Sequence, residues 1–145
     1  MGCAPAATLI DAGAQPVYGD LKDRSSLDEA CRGVTTVITS ANSILRGGED
    51  TIESVDLQGT QNLIDAAQEA GVEHFIYVSV VDADVESPNP LGQAKAVCEA
   101  KLRDSGMIYT ILQPGVFMEV WIGAVVGAPL QAGQPVTLVE PGSHK

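Results

Sequence analysis

Two runs of the chain, Val34 to Thr39 (VTTVIT) and Phe75 to Val80 (FIYVSV), are rich in β-branched and aromatic residues and carry no charge. A strand with one wet face alternates apolar and polar residues, so uninterrupted runs of this kind fit strands buried on both faces, the habit of parallel sheets. Parallel neighbours cannot be joined by a hairpin and need a crossover, usually a helix. The residues between the runs supply one. From about Asp50 to Ala70, Ile52, Val55, Gly59, Leu63, Ala66 and Ala70 recur at helical spacing, and Gly71 follows as a helix terminator.

The alternation extends in both directions. Pro16-Val17-Tyr18 reads as a short strand ending at Gly19-Asp20-Leu21, and the segment from Ser25 reads as a serine-capped helix that stops at Gly33. A polar loop, Ser40 to Ser43, follows the first apolar run, and the acidic, proline-containing stretch Asp82 to Pro90 reads as a surface loop. A helix is expected from about Leu91 to Asp104, closed at Gly106, then a strand from Met107 to Leu112 broken by Pro114-Gly115. Val116 to Val126 reads as a further helix and Val136 to Val139 as a last strand. The pattern predicts one α/β domain over residues 1–145, a three-layer parallel sheet with helices on both faces.

Composition excludes some functions. A net charge of −11 with scattered basic residues works against nucleic acid and against an anionic membrane surface. The three cysteines, Cys3, Cys31 and Cys98, show neither metal nor disulfide spacing, which points to reduced thiols and a cytoplasmic protein. The most apolar stretch, Val116 to Leu130, is interrupted by Glu119 and Pro129, so no membrane span is expected. His74 and His144 have no metal-ligand spacing, and no metal is expected.

In open parallel sheets, ligands bind beyond the carboxyl ends of the strands. That rule singles out Asp20 and Leu21, Ser40 and Ala41, Ser79, and the segment Pro114, Gly115, Val116 and Phe117. Asp20 is placed to accept a hydrogen bond from an adenine amino group, although an isolated Gly-Asp more often closes a turn or caps a helix. Ser79 either faces a ligand or satisfies its own loop. Lys95 is the sharpest single feature: on a helical projection it falls with Leu91, Cys98 and Leu102, not with Gln93, Arg103 and Asp104. A cation on an apolar face needs a partner, a ligand or a route along its stem to solvent.

In order, Gly19-Asp20-Leu21-Lys22-Asp23, Gly33 to Ser40, Val55-Asp56-Leu57-Gln58-Gly59-Thr60 through Ala67, Gly71 to Ser79, Lys95 to Glu99 and Tyr109 to Glu119 form an ordered set of blocks. The set resembles the NmrA-like, atypical short-chain dehydrogenase/reductases from about Ala12 onward. The resemblance implies a Rossmann-like sheet binding NADP or NAD, with Asp20 and Leu21 at adenine and Ser40 and Ala41 on the ribose side. It further implies Ser79 near nicotinamide, Lys95 on the nicotinamide ribose, and Pro114 to Phe117 facing the nicotinamide ring. The family's GxxGxxG turn after a first strand, which cradles the pyrophosphate, does not occur in this sequence, and the tyrosine of the Tyr-x-x-x-Lys pattern is Leu91. The implied activity is hydride transfer between NAD(P)H and a small carbonyl, quinone or activated double bond, with Lys95 or water handling the proton. Two alternatives stand beside it: a non-catalytic NAD(P) redox sensor acting through a protein partner, and a non-binding fragment whose Met1 falls inside the natural second helix. A homodimer covering the sheet edges is also left open.

Overall fold

The structure is a computed structural model that describes residues 4–44, 46–115, 117 and 122–136. It divides into two compact units, Met1–Gln113 and Pro114–Lys145. The first unit holds the helices α1 (Ala4–Asp11) and α2 (Arg24–Ala30), then strand β1 (Thr36–Thr39). A π-helical segment, Ile52–Gly59, runs directly into α3 (Thr60–Glu69) and is followed by β2 (His74–Val78), α4 (Pro90–Asp104) and β3 (Ile108–Leu112). The second unit's described elements are a π-helical turn, Ile122–Gly127, running into α5 (Ala128–Gln131).

The three strands form a parallel sheet in the order β1-β2-β3. Thr39 stands opposite Tyr77, and Tyr77 opposite Ile111, so the three carboxyl ends share one edge. This is the Rossmann-like α/β arrangement expected from the charge-free runs. On β2, Phe75 and Tyr77 point into the core, where they meet Ile64, Ala66 and Ala67 of α3 and Cys98 and Leu102 of α4. Full burial of a large apolar side chain such as Phe75, Ile64 or Leu102 contributes about 1.5–3 kcal/mol, so this cluster fixes both crossovers against the sheet. Ile38 and Ile108, at alternate positions on the flanking strands, remain exposed.

Charged groups staple the helices at the surface. Arg24 of α2 reaches Asp28 at 2.7 Å and Glu69 of α3 at 2.8 Å, and Lys101 of α4 reaches Asp65 of α3 at 2.7 Å. Among the described residues, no helix is long and apolar enough to cross a membrane.

Several local expectations are corrected. Pro16 to Tyr18 is not a strand: Val17 and Tyr18 are exposed, and the nearest pairing is an isolated bridge between Asp20 and Asp23. A β-rich triplet becomes a strand only when a neighbour takes its backbone groups, and no described strand does. The cap of α2 is Asp23, whose carboxylate accepts from the backbone N–H groups of Ser25 and Ser26, not a serine. Asn89 caps α4 by accepting from the Leu91 N–H, with Pro90 at the first helical position. The long crossover helix does not keep one period. It opens with π-helical turns at Ile52–Gly59, and the buried stripe is wider than expected: Val55, Gly59 and Ala66 are buried as expected, Asp56, Thr60, Ile64 and Ala67 are buried beside them, and Ala70 is exposed. Of the helix expected over Val116 to Val126, the part before Ile122 lies almost wholly outside the described residues, as does the last strand beyond Val136.

Candidate functional site

The three strands deliver different loops to the common carboxyl edge. β1 ends at Thr39 and passes into Ser40-Ala41, and β2 ends at Val78 and passes into Ser79. Beside the first of these lies a groove of about 390 Å³ whose walls include Asp20, Leu21, Ala41 and Val55. Three of the nominated residues therefore meet at one concavity. Ser40 is exposed next to it, its carbonyl accepting from the Asn42 side chain at 3.3 Å.

Asp20 takes part in the turn and also borders the groove. Its Oδ1 accepts the Lys22 N–H at 2.9 Å, and its own N–H donates to Ser26 Oγ at 2.9 Å. Leu21 sits against the π-helical segment with no space to spare: a β-carbon on Gly59 would lie 2.7 Å from Leu21 Cβ. The absence of a side chain at Gly59 is what lets the helix pass beneath the groove.

Lys95 lies on the apolar face of α4 with Leu91, Cys98 and Leu102, as its position in the helical period requires, and only 2% of it is exposed. Its ammonium lies 3.3 Å from Asp56 Oδ1, donates to the Ala41 carbonyl at 3.4 Å, and stands 5.1 Å from the centroid of the Tyr77 ring. The Ala41 carbonyl thus ties the lysine to a wall of the groove. Asp56, fully buried, accepts on its other oxygen from the Ser43 N–H at 3.0 Å and the Ser43 hydroxyl at 2.6 Å. The lysine needed a partner, and the partner is an aspartate that shares a helical stripe with the buried Thr60, Ile64 and Ala67.

The wide turns around Asp56 leave backbone carbonyls to be served by side chains. Thr60 Oγ1 donates to the Val55 carbonyl at 3.4 Å, and Cys98 Sγ approaches the Asp56 and Leu57 carbonyls at 3.4 and 3.6 Å. Burial pushes the Cys98 thiol up to about 11, despite the lowering influence of Tyr77 and Lys95. Burial likewise holds the Tyr77 phenol far above its ordinary value. Neither group is a ready acid or nucleophile at neutral pH.

Ser79 ends β2 with its N–H bonded to the Leu112 carbonyl at 2.8 Å, but its buried hydroxyl has no partner in regular hydrogen-bond geometry. Glu99, one turn beyond Lys95 and equally buried, accepts from Gln113 at 2.8 Å and from Arg103 at 2.7 Å. Burial raises the Glu99 carboxyl, but the Ser79 hydroxyl, Gln113 amide and Arg103 guanidinium together outweigh it and hold the group below its ordinary value. Pro114, Gly115 and Phe117 belong to the second unit, and Val116 lies outside the described residues.

The groove pairs apolar walls, Leu21 and Val55, with the Asp20 carboxylate, and Ser79 does not line it. A larger groove of about 480 Å³, between Thr51 to Leu57 and the start of α4, contains none of the nominated residues. The sequence profile of an NAD(P)H-binding family matches residues 4–131. The chain belongs to this NAD(P)H-binding family.

The cofactor of the family is NAD or NADP. The photosystem II assembly factor Ycf39 of Cyanophora paradoxa is 36% identical over 119 residues, covering 81% of this chain and 36% of that protein. The NAD(P)H azoreductase of Xenophilus azovorans is 31% identical over 116 residues, 80% of this chain and 37% of the azoreductase. The structure of the NADPH-dependent quinone oxidoreductase QOR2 of Escherichia coli, complexed with NADPH, superposes with a TM-score of 0.70 at 29% identity, covering 90% of this chain and 42% of QOR2. The chain therefore spans less than half the length of each.

Proposed function

We propose that this chain forms the nucleoside-binding part of an NAD(P)H-dependent oxidoreductase of the NmrA-like type, acting on a small carbonyl, quinone or activated double bond. The observation that carries the reading is the convergence of Asp20, Leu21 and Ala41 on one groove at the carboxyl edge, with the Lys95 ammonium held on the Ala41 carbonyl. In this reading Asp20 and Leu21 flank adenine, Ser40 and Ala41 line the ribose, and Ser79 and Lys95 serve the nicotinamide ribose and its surroundings. Pro114, Gly115, Val116 and Phe117 are assigned to the nicotinamide ring. The similarity to an azoreductase and to a quinone oxidoreductase supports a reductase rather than another use of the same cofactor.

Bound NAD(P)H supplies a hydride. The chain's own contribution is orientation and a proton. Leu91 stands where the related enzymes place a tyrosine, so the phenol that would donate the proton is replaced by a hydrocarbon. In this reading Lys95, whose Nζ is bonded to the Ala41 carbonyl of the groove wall, is the group that hands a proton to a developing oxyanion, directly or through water. Tyr77 does not take over that role, because it is buried in the core.

A second reading is favoured by one relative, whose name is that of an assembly factor: a non-catalytic NAD(P) sensor acting through a protein partner. The first experiment is titration of the chain with NADPH and NADH, following nucleotide fluorescence and thermal stability. Saturable binding, weakened by Lys95→Arg, supports the site; no binding at about millimolar nucleotide, where even weak sites respond, overturns it. Consumption of NADPH with a simple quinone then separates the reductase from the sensor.

A further inference from the structure

The buried pair between α4 and the π-helical segment has a geometry that neither packing nor the cofactor requires by itself. Asp56 Oδ1 faces the Lys95 ammonium at 3.3 Å, yet the approach lacks hydrogen-bond geometry and Oδ1 has no other partner. Asp56 Oδ2 is fully engaged, accepting both the N–H and the hydroxyl of Ser43. Ser43 belongs to the same loop as Ala41, whose carbonyl is the other acceptor for the lysine. The carboxylate is thus clamped from the loop side, and its free oxygen is turned towards the cation. A charge-assisted hydrogen bond across the ion pair would measure about 2.7–2.9 Å. Here the short contacts, 2.6 and 3.0 Å, are spent on fixing the carboxylate.

We infer that Asp56, seated by Ser43, is the positioning residue for Lys95: it holds the ammonium on the Ala41 carbonyl behind the wall of the groove, where the proposed function has it serve the nicotinamide ribose. The inference rests on the groove being the nucleotide site. A hydrocarbon neighbour in place of Asp56 would leave a buried cation with one carbonyl and the Tyr77 face, and the lysine stem would swing towards solvent. The loop that lines the ribose side and the lysine would then move independently. With the carboxylate present they form one unit, and Lys95 exchanges part of its bonding for a ligand hydroxyl without leaving its place.

The test has two arms, one of which needs no nucleotide. In the first, the chain is briefly treated with an amine-acylating reagent and each lysine is followed by peptide mass spectrometry. Lys95 is nearly inaccessible and Lys101 is about one-third exposed, so Lys101 serves as the internal reference. Lys95 is expected to react at least ~10-fold more slowly than Lys101, because only a local opening exposes it. Asp56→Asn should remove most of that protection, and Ser43→Ala part of it, while the buried Cys31 thiol, followed in parallel with a thiol-alkylating reagent, stays unreactive in both. Cys31 reports loosening of the whole core, so Ser43→Ala decides the matter where Asp56→Asn fails to fold. Unchanged protection of Lys95 in the folded variants overturns the inference, as does a rise matched by Cys31.

The second arm compares affinity for NADPH with affinity for ADP, which lacks the nicotinamide and its ribose. A positioning role predicts that Ser43→Ala and Asp56→Asn weaken NADPH by ~10-fold or more, the scale of a misplaced hydrogen bond from a charged donor, while ADP affinity stays as it was. Equal weakening of both ligands means that Asp56 shapes the groove as a whole and refutes the positioning role. Should the unaltered chain bind neither ligand, the nucleotide-site reading falls and the inference about the ribose falls with it. The acylation arm then still shows whether Asp56 holds Lys95.

Discussion

Two carboxylates beside the groove each hold a lysine, and they do so in opposite surroundings. At the inner end, Asp56 and Lys95 are removed from water, with side-chain exposures of 0% and 3%. At the rim, Asp50 meets Lys22 at 2.6 Å and Arg46 at 2.8 Å, with exposures of 19% for the acid, 36% for Lys22 and 65% for Arg46. The rim contacts are shorter, yet they matter less to stability, because water screens them and long side chains lose freedom to make them. The inner pair is longer and far more consequential: its charges were stripped of water, and each now depends on the other. Distance alone is therefore a poor guide to which ion pair the fold relies on.

The largest effect should come from breaking the inner pair on one side. Lys95→Met leaves the Asp56 carboxylate buried opposite a thioether, and loss of one partner from a buried pair costs about 3–5 kcal/mol. Replacing both, Asp56→Leu with Lys95→Met, should cost much less than Lys95→Met alone. Urea unfolding of the single and double variants measures the coupling directly. A double variant as unstable as the sum of its singles would show that the two residues act independently and would break the comparison at its root.

Next in size is Gly59→Ala, which bears on the ground between the two pairs. Its methyl would meet Leu21 Cβ at 2.7 Å and the Ser54 carbonyl at 3.1 Å, so either the turn carrying Leu21 and Lys22 or the π-helical segment carrying Asp56 must move. Overpacking of this kind costs roughly 1–3 kcal/mol. The same substitution should lower nucleotide affinity, since Leu21 is a wall of the groove. A fully stable Gly59→Ala chain would mean that inner and rim regions are not mechanically joined through this contact.

The pH dependence should also differ between the two regions. The Cys98 thiol, beside the inner pair, is pushed by burial from 9.0 to about 11. The native state thus keeps a proton that the unfolded chain releases, so its contribution to stability is complete below about pH 9 and is lost as pH rises towards 11. At the rim, the Lys22 hydrogen bond first and the Arg46 hydrogen bond second hold Asp50 below its ordinary 3.8. Its contribution is present above that value and disappears as pH falls through the lowered one. Unfolding midpoints across pH should therefore show an alkaline limb that flattens in Cys98→Ala and an acid limb that does not. An unchanged alkaline slope in Cys98→Ala would remove the thiol from the account.

Much of this was legible in the sequence, and the exceptions share a cause. The charge-free runs marked the parallel strands through their β-branched and aromatic residues, but the expected burial on both faces is not found: Ile38 and Ile108 are exposed and β2 is buried at alternate positions. Lys95 was legible because three apolar residues of its helix define a face and the lysine falls on it. Asp56 was not, because a face drawn through apolar residues alone leaves out a carboxylate, although Asp56 falls at ordinary helical spacing from the buried Thr60, Ile64 and Ala67. One signal was available: a buried lysine demands an anion, and Asp56 is one of two acids, with Asp65, in the block that carries Gly59 and Thr60. The cap of α2 was misplaced by two residues, since Asp23 and Ser25 are both good caps and only the backbone conformation of Asp23, extended at φ −110° and ψ 96°, selects between them. The rim pairs were illegible for a different reason. They close a loop through Gly47 and Gly48, both with positive φ, and nothing in residue type specifies where such a loop returns.

The smallest expected effect on stability is that of the rim itself, and it is the one that most sharpens the contrast. Asp50→Asn removes the acceptor of both Lys22 and Arg46, but the released cations are free to turn to water, so the melting temperature should hardly change and the chain should remain cooperative. Nucleotide binding is the more sensitive readout. Lys22, Arg46 and Asp50 all border the groove, and with Asp50 neutralised the two cations lose their internal counter-charge. They become available to an anionic ligand, so NADPH should bind Asp50→Asn at least as tightly as the unaltered chain at low salt. The difference should vanish as salt is raised towards about 1 M, where the screening length shrinks to about 3 Å. The inner pair predicts the reverse pattern: the loss in Asp56→Asn should persist at high salt, because ions do not reach a buried site. If both variants respond to salt alike, the inner pair is open to solvent in solution and the distinction between the two regions fails.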